Sequence, residues 1–152
     1  MSVTGVVSDS QCHQPQCELC TTSGGDLLWQ NEQCRVVLVD EPGYPGFCRV
    51  IWKHHVREMT DLDTETRNGF MNTVFATESA VRQVCTPDKV NLASLGNMTP
   101  HLHWHVIPRW REDQHFPAPI WATPRRDNTL ATAANLAQQL RQALNQKLGV
   151  SA

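Results

Sequence analysis

The sequence predicts an α+β fold: an antiparallel sheet with one long helix packed on it and a second helix at the C-terminal end. Short runs of β-branched and aromatic residues separated by turn residues supply the strands. Two long segments with apolar residues at helical spacing supply the helices. The chain has 152 residues, enough for one domain with a real core and too few for two comfortable ones. The expected organisation is a flexible leader over residues 1–15 and a single domain over 16–152. Within it lie a core (16–110), a segment rich in aromatics and proline (111–127) and a C-terminal helix (128–148).

Taken in order, residues 1–15 carry no apolar period, and Cys17-Glu18-Leu19-Cys20 then runs into the turn Thr21–Asp26. Leu27–Gln30 and Cys34–Val39 read as a hairpin around Asn31-Glu32. The turn Asp40-Glu41-Pro42-Gly43-Tyr44-Pro45-Gly46 leads into a third strand, Phe47–Trp52, ending at Lys53-His54-His55. Thr60 is the expected cap of a helix whose apolar stripe holds Phe70, Met71, Val74, Phe75, Val81 and Val84, and Thr86-Pro87-Asp88 ends it. A strand over 89–94 and a loop over 95–100 precede a run of histidines. The final helix, capped by Asp127 or Asn128, carries Leu130, Ala134, Ala137, Leu140, Leu144 and Leu148 on one stripe.

The histidine run, His101-Leu102-His103-Trp104-His105-Val106-Ile107-Pro108-Arg109, is where chemistry concentrates. Read as a strand, it sends His101, His103 and His105 to one face and Leu102, Trp104 and Val106 to the other, with Pro108 ending the ladder. Same-face neighbours stand about 6.6 Å apart, so all three rings on one metal ion would strain the strand. At least one imidazole is then free to attack phosphorus or to move a proton near neutral pH.

Composition narrows the classes. A net charge of −2 and no run of Lys or Arg argue against a surface that tracks long nucleic acids, while a small phosphorylated ligand stays compatible. No stretch is long enough to span a bilayer and no secretory leader is evident, so the chain reads as soluble and cytoplasmic. Cys34, Cys48 and Cys85 fall in apolar contexts and read as small buried residues. Cys17 and Cys20 have the spacing of two ligands to one tetrahedral zinc, with a redox pair or two inert thiols as the alternatives. Phe116 and Trp121 read as packing residues, with stacking on a nucleobase as the functional alternative.

The His-x-His-x-His run with apolar spacers, closed by Val106-Ile107-Pro108-Arg109, resembles the signature of the histidine triad (HIT) nucleotide hydrolases and transferases. The Pro-Arg ending is more like the bacterial and dinucleoside polyphosphate hydrolase-like branch. The resemblance covers residues 15–110 and implies the HIT-like fold, a homodimer and a small-molecule nucleotide substrate. It implies attack on the α-phosphorus of an adenine-type nucleotide ester or amide. His103 would be the nucleophile, forming a nucleotidyl-histidine. His105 would contact the phosphate or assist the leaving group, and His101 would hold the site together.

By the same resemblance Cys17, Cys20, His55 and His101 would bind a structural zinc. The nearby Cys12, His13 and His54 leave that ligand set open. No catalytic metal is expected. Asp40 would take the ribose hydroxyls, although a turn-capping role is open to it as well. Asn91 matches a family amide, and Asn97 stands where the family has glutamine and can face developing phosphate charge or merely shape its turn. Met98 replaces the usual hydroxyl, so Thr99 is the candidate donor, and Phe47 replaces a usual histidine. Two other classes remain open: a metal-dependent hydrolase using two of the histidines with a carboxylate, and a nucleotide-binding regulatory module with a vestigial triad.

Overall fold

The computed structural model describes residues 13–152, so most of the expected leader, and Cys12 with it, lies outside the described residues. Five strands form one sheet: β1 (Asp26–Gln30), β2 (Cys34–Leu38), β3 (Cys48–Trp52), β4 (Lys89–Ala93) and β5 (His103–Arg109). Their spatial order is β1-β2-β3-β5-β4 and every pairing is antiparallel. A one-turn helix α1 (Glu18–Thr21) precedes the sheet, the long helix α2 (Thr64–Cys85) joins β3 to β4, and α3 (Leu136–Leu148) follows β5. The α+β expectation is met.

Local chemistry explains the joints. Asn31 turns the β1–β2 hairpin by accepting the backbone N–H groups of Gln33 (2.9 Å) and Cys34 (2.8 Å) on Oδ1. The expected cap of α2, Thr60, instead falls inside a short 3-10 turn over Met59–Asp61. Asp63 performs the capping, accepting from the Thr66 N–H at 2.8 Å. At the other end Thr86 stops the helix in a left-handed conformation (φ 46°) before Pro87. Phe70, Val74 and Val81 point into the core as expected, whereas Phe75 is exposed, because the stripe is narrower than its apolar content suggests.

The C-terminal helix starts later than the expected 128. Asn128 spends its side chain on the Glu112 carbonyl (2.8 Å), so it tethers a loop instead of capping a helix. The helix begins at Leu136 and buries Leu136, Leu140, Ala143 and Leu144.

α2 and α3 pack on one face of the sheet, where Val36, Cys48, Val50, Trp52 and Val106 meet Phe70, Val74 and Leu140. The opposite face carries Arg35, Val37, Arg49, Ile51, His103 and His105, by the alternation of antiparallel registers. Two pieces of chain cover it in part. Leu19 and Cys17 of the N-terminal turn pack on Val37 and Ile51. The segment after β5 folds back so that Ile120 reaches Tyr44, Phe47 and Ile107. Between these two covers lies a cavity whose wall includes the mostly buried His103 and His105. No helix among the described residues is long and apolar enough to cross a membrane.

Candidate active site

The histidine strand is two residues shorter at its start than expected. β5 begins at His103, and His101 lies before it, fully buried. Its backbone N–H is taken by the Thr99 carbonyl at 2.8 Å and not by a ladder, which frees its ring to turn away from its two companions. Pro108 does not end the strand. It sits opposite Val90, past the last β3–β5 pair at Val106, where one side of β5 has no partner strand to receive a donor.

The turned ring of His101 organises a cluster of soft ligands. Its Nε2 is 2.6 Å from the Trp52 carbonyl, which can only accept, so Nε2 carries the proton and Nδ1 presents a lone pair. That lone pair faces the Sγ atoms of Cys17 and Cys20, each at 3.4 Å, and His55 Nδ1 is 3.5 Å from Cys20 Sγ. The four donor atoms all lie within 4.8 Å of one another. Zn–S bonds of about 2.3 Å and Zn–N bonds of about 2.0 Å in a tetrahedron space S and N ligands about 3.5 Å apart, so the donor set fits zinc. His55 is the ring that joins this cluster; His54 and His13 are exposed.

His103 and His105 do share one face, as the period of two requires, with ring centroids 4.9 Å apart. Nδ1–H of His103 donates to the His101 carbonyl at 2.5 Å. With the proton placed there, the Nε2 lone pair of a neutral His103 is the one left free. Burial pushes the His103 pKa down, against the pull of that backbone hydrogen bond, and the Arg49 charge adds to the depression. Burial likewise lowers His105, to about 4, with His103 and Arg49 contributing. Both shifts favour the neutral ring, the state a nucleophilic imidazole needs. His105 Nδ1 is buried and has no partner in the protein.

These two rings open into a cavity of about 400 Å³ lined also by Leu19, Arg49, Gly96, Asn97, Thr99 and Trp121. Asn97 and Thr99 are thus brought to the histidines. Met98, almost wholly exposed, lies at the same rim, which leaves Thr99 as the hydroxyl nearest the role that Met98 lacks. Phe47, standing where a histidine is usual, is buried and packs its ring 5.7 Å from that of His105.

Two expected ligand contacts fall elsewhere. Asp40 is exposed in a separate recess with Leu38, Thr132 and Leu136, because Arg35, Val37 and then Val39 follow the histidine face and Asp40 has the opposite parity. Asn91 shares the histidine face, opposite Ile107, but its Oδ1 accepts from Arg109 Nη1 at 2.7 Å, so its side chain serves the protein.

That Arg109 belongs to a buried network which sequence reading missed. Asp113 is completely buried and accepts Arg109 through both oxygens (2.8 and 3.1 Å). It also takes the backbone N–H groups of Trp110, His115 and Phe116, and the Tyr44 hydroxyl at 3.1 Å. His115 Nδ1 meets the same hydroxyl at 2.5 Å. Arg109 Nη2 then donates to the Ala118 carbonyl at 2.7 Å. The network pins the segment after β5 across the sheet and delivers Trp121 to a ring distance of 5.2 Å from His105. Trp121 is half exposed there, a wall of the cavity and not a core residue, whereas Phe116 packs over the Arg109 guanidinium at 5.7 Å. An Arg at the end of a strand and an Asp four residues on were the available signal.

A five-stranded antiparallel sheet with a histidine pair in an open cavity, and a third histidine facing two cysteines beside it, is the arrangement of a histidine-triad fold. The HIT domain family model matches residues 22–112, and the chain belongs to that family. Its members are in general nucleotide-binding hydrolases and transferases. Among solved structures, a histidine triad protein from Bradyrhizobium japonicum is 27% identical, with a TM-score of 0.65 over 81% of this chain and 91% of that one. A histidine triad protein from Marinobacter aquaeolei VT8 is 25% identical, with a TM-score of 0.68 over 82% of this chain and 92% of that one. A zinc-bound histidine triad family protein from Mycobacterium smegmatis is 23% identical and shares the fold, with a TM-score of 0.55 over 80% and 85% of the two chains. No curated protein sequence matches the chain.

Proposed function

We propose that the protein is a nucleotide hydrolase or transferase acting at the α-phosphorus of adenine-type nucleotide esters or amides, such as dinucleoside polyphosphates and nucleoside phosphoramidates. The observation that supports this reading is the placement of His103: its Nδ1–H is held by the His101 carbonyl at 2.5 Å and its ring lies in the wall of an open cavity. In the first step Nε2 of His103 forms a bond to phosphorus as the bond to the leaving group breaks. His105, 4.9 Å away between ring centroids, contacts the phosphate or assists the leaving group as a hydrogen-bond donor, and the departing atom takes its proton from solvent. Water then attacks the nucleotidyl-histidine, releasing the nucleoside monophosphate and restoring the ring; a second acceptor in place of water gives transfer. Asn97 and Thr99 supply neutral polar groups at the cavity rim, where they stabilise charge developing on the phosphate oxygens.

A structural zinc held by Cys17, Cys20, His55 and His101 belongs to the same reading, and the zinc-bound relative supports it. Bound there, the ion would fix the His101 ring and, through residue 101, the carbonyl that holds His103 Nδ1–H. Native mass spectrometry is expected to find one zinc per chain in the wild type and none in the Cys17→Ser, Cys20→Ser double variant, whose thermal midpoint falls by several degrees. Zinc-free wild type of equal stability would remove the ion from the account. The family's homodimer remains part of the proposal.

Steady-state turnover of diadenosine tetraphosphate and adenosine 5′-phosphoramidate, with product analysis in ¹⁸O-labelled water, tests the reaction class. Release of AMP carrying label on its phosphate is expected from at least one of them. AMP released from neither would contradict the assignment of hydrolysis at the α-phosphorus.

A further inference from the structure

Arg49 is the residue of this pocket that neither the histidine motif nor the fold accounts for. It stands in the middle of β3 between Cys48 and Val50, both buried on the helical face. Its own face is the histidine face, where its register partner on β5 is His105 and its partner on β2 is the buried Val37. A guanidinium among such neighbours normally has a carboxylate, because an uncompensated buried charge is costly. Here the ion pairs among the described residues are Arg109–Asp113 and Arg141–Asp26, and Arg49 is in neither. Its Nη1 reaches the Gly24 carbonyl at a long 3.4 Å, and its Nε is buried with no partner at all.

Among the described residues the other buried polar side-chain atom without a partner is Nδ1 of His105, the residue directly across from Arg49. The two paired residues that carry these buried, unsatisfied nitrogens both line one cavity beside the proposed nucleophile. The cavity's charged lining residues are Arg49 and Glu18, so an entering anion meets a single fixed cation. We propose that Arg49 binds the phosphate under attack and is the specificity-determining residue that makes this pocket select phosphorylated nucleosides over neutral ones; this rests on the nucleotide reading given above. The planar guanidinium suits two oxygens of one phosphate, a geometry that an ammonium does not reproduce. It offsets charge in both the ground state and the transition state, so its loss weakens binding as well as turnover.

The test is the ratio of AMP to adenosine affinity, measured by calorimetry at pH 7 on the full chain, for wild type, Arg49→Gln, Arg49→Lys and His103→Ala. The wild type is expected to prefer AMP by roughly 10- to 100-fold, the range of a charge-assisted hydrogen bond. Arg49→Gln loses most of that preference with adenosine affinity unchanged, Arg49→Lys keeps part of it, and His103→Ala keeps nearly all. Raising the salt concentration erodes the preference of the wild type and leaves Arg49→Gln unaffected. Should the glutamine variant fail to fold, the lysine variant decides by the same ratio. A preference that survives in Arg49→Gln, or is missing in the wild type, overturns the proposal. If the wild type binds neither ligand, the nucleotide reading itself fails, and inorganic phosphate becomes the probe. Phosphate binding that disappears with Arg49 then sustains the anion site, and its absence in the wild type refutes it.

Discussion

His103→Ala is expected to lower turnover of any substrate the wild type accepts by roughly 10⁴-fold or more, the scale on which removing a nucleophile acts. The protein should remain folded, because the substitution empties a position that borders the cavity and leaves the His101–Trp52 and Cys17–His101 contacts in place. KM changes little if substrate is held mainly through its phosphate and base, so the loss appears in kcat. His105→Ala should cost less, since a missing hydrogen-bond donor to the phosphate or leaving group is worth about 10²- to 10³-fold and its importance depends on how good the leaving group is. Steady-state kinetics on both variants with one activated and one poor leaving group separate the two roles. Comparable losses in both variants, whatever the leaving group, would deny them different tasks.

Asp113→Ala carries the largest expected effect on stability. The carboxylate meets two guanidinium nitrogens, three backbone N–H groups and a tyrosine hydroxyl. Its removal leaves Arg109 as an uncompensated buried charge, a defect that costs about 3–5 kcal/mol. In a chain of this size that lowers the thermal midpoint by roughly 10 °C or more. The segment bearing Trp121 should also loosen, with faster hydrogen exchange in the backbone after β5, since the N–H groups of Trp110, His115 and Phe116 lose their acceptor.

Acid provides a second check on the same group. Burial by itself would raise the Asp113 pKa, but hydrogen bonds from Arg109 and from the backbone of His115, Phe116 and Trp110 outweigh it and hold the carboxyl well below the usual range. A group whose folded pKa is depressed contributes stability above its unfolded value, about 3.9, and loses it as the pH falls through the folded value. The stability gap between wild type and Asp113→Ala is thus constant near neutrality and narrows below about pH 4. A variant as stable as the wild type at pH 7 would show that the network is not what holds the segment.

How much of this was readable beforehand depends on which periodicities the residues reveal. His103 and His105 were legible because polar rings alternate with Trp104 and Val106, which fixes the phase of β5. The departure of His101 from that strand was not, since it depends on the turn that places its N–H on Thr99 and its ring on Trp52. The Cys17–Cys20 pair was visible as spacing, and the choice of His55 over His54 awaited the fold. Asp40 came from resemblance and not from alternation, since Val36 and Val37 are both buried and the phase of β2 carries no sign; its place in a recess apart from the histidine cavity needed the fold. Arg49 left a trace in the sequence, a lone cation in the apolar run Cys48–Trp52, whose meaning appears only when the register sets it opposite His105. The late start of α3 was hidden because Asn128, a good cap by residue type, is captured by the Glu112 carbonyl.

The central claim is that His103 forms a bond to phosphorus. Intact-protein mass spectrometry after rapid acid-free quenching of wild type and His103→Ala with diadenosine tetraphosphate and adenosine 5′-phosphoramidate tests it most directly. The account predicts an adenylyl adduct on the wild type, located at residue 103 by fragmentation, appearing before product and absent from the variant. Nucleotide turnover with no adduct on the wild type at any quench time, or an adduct that persists in His103→Ala, would contradict it.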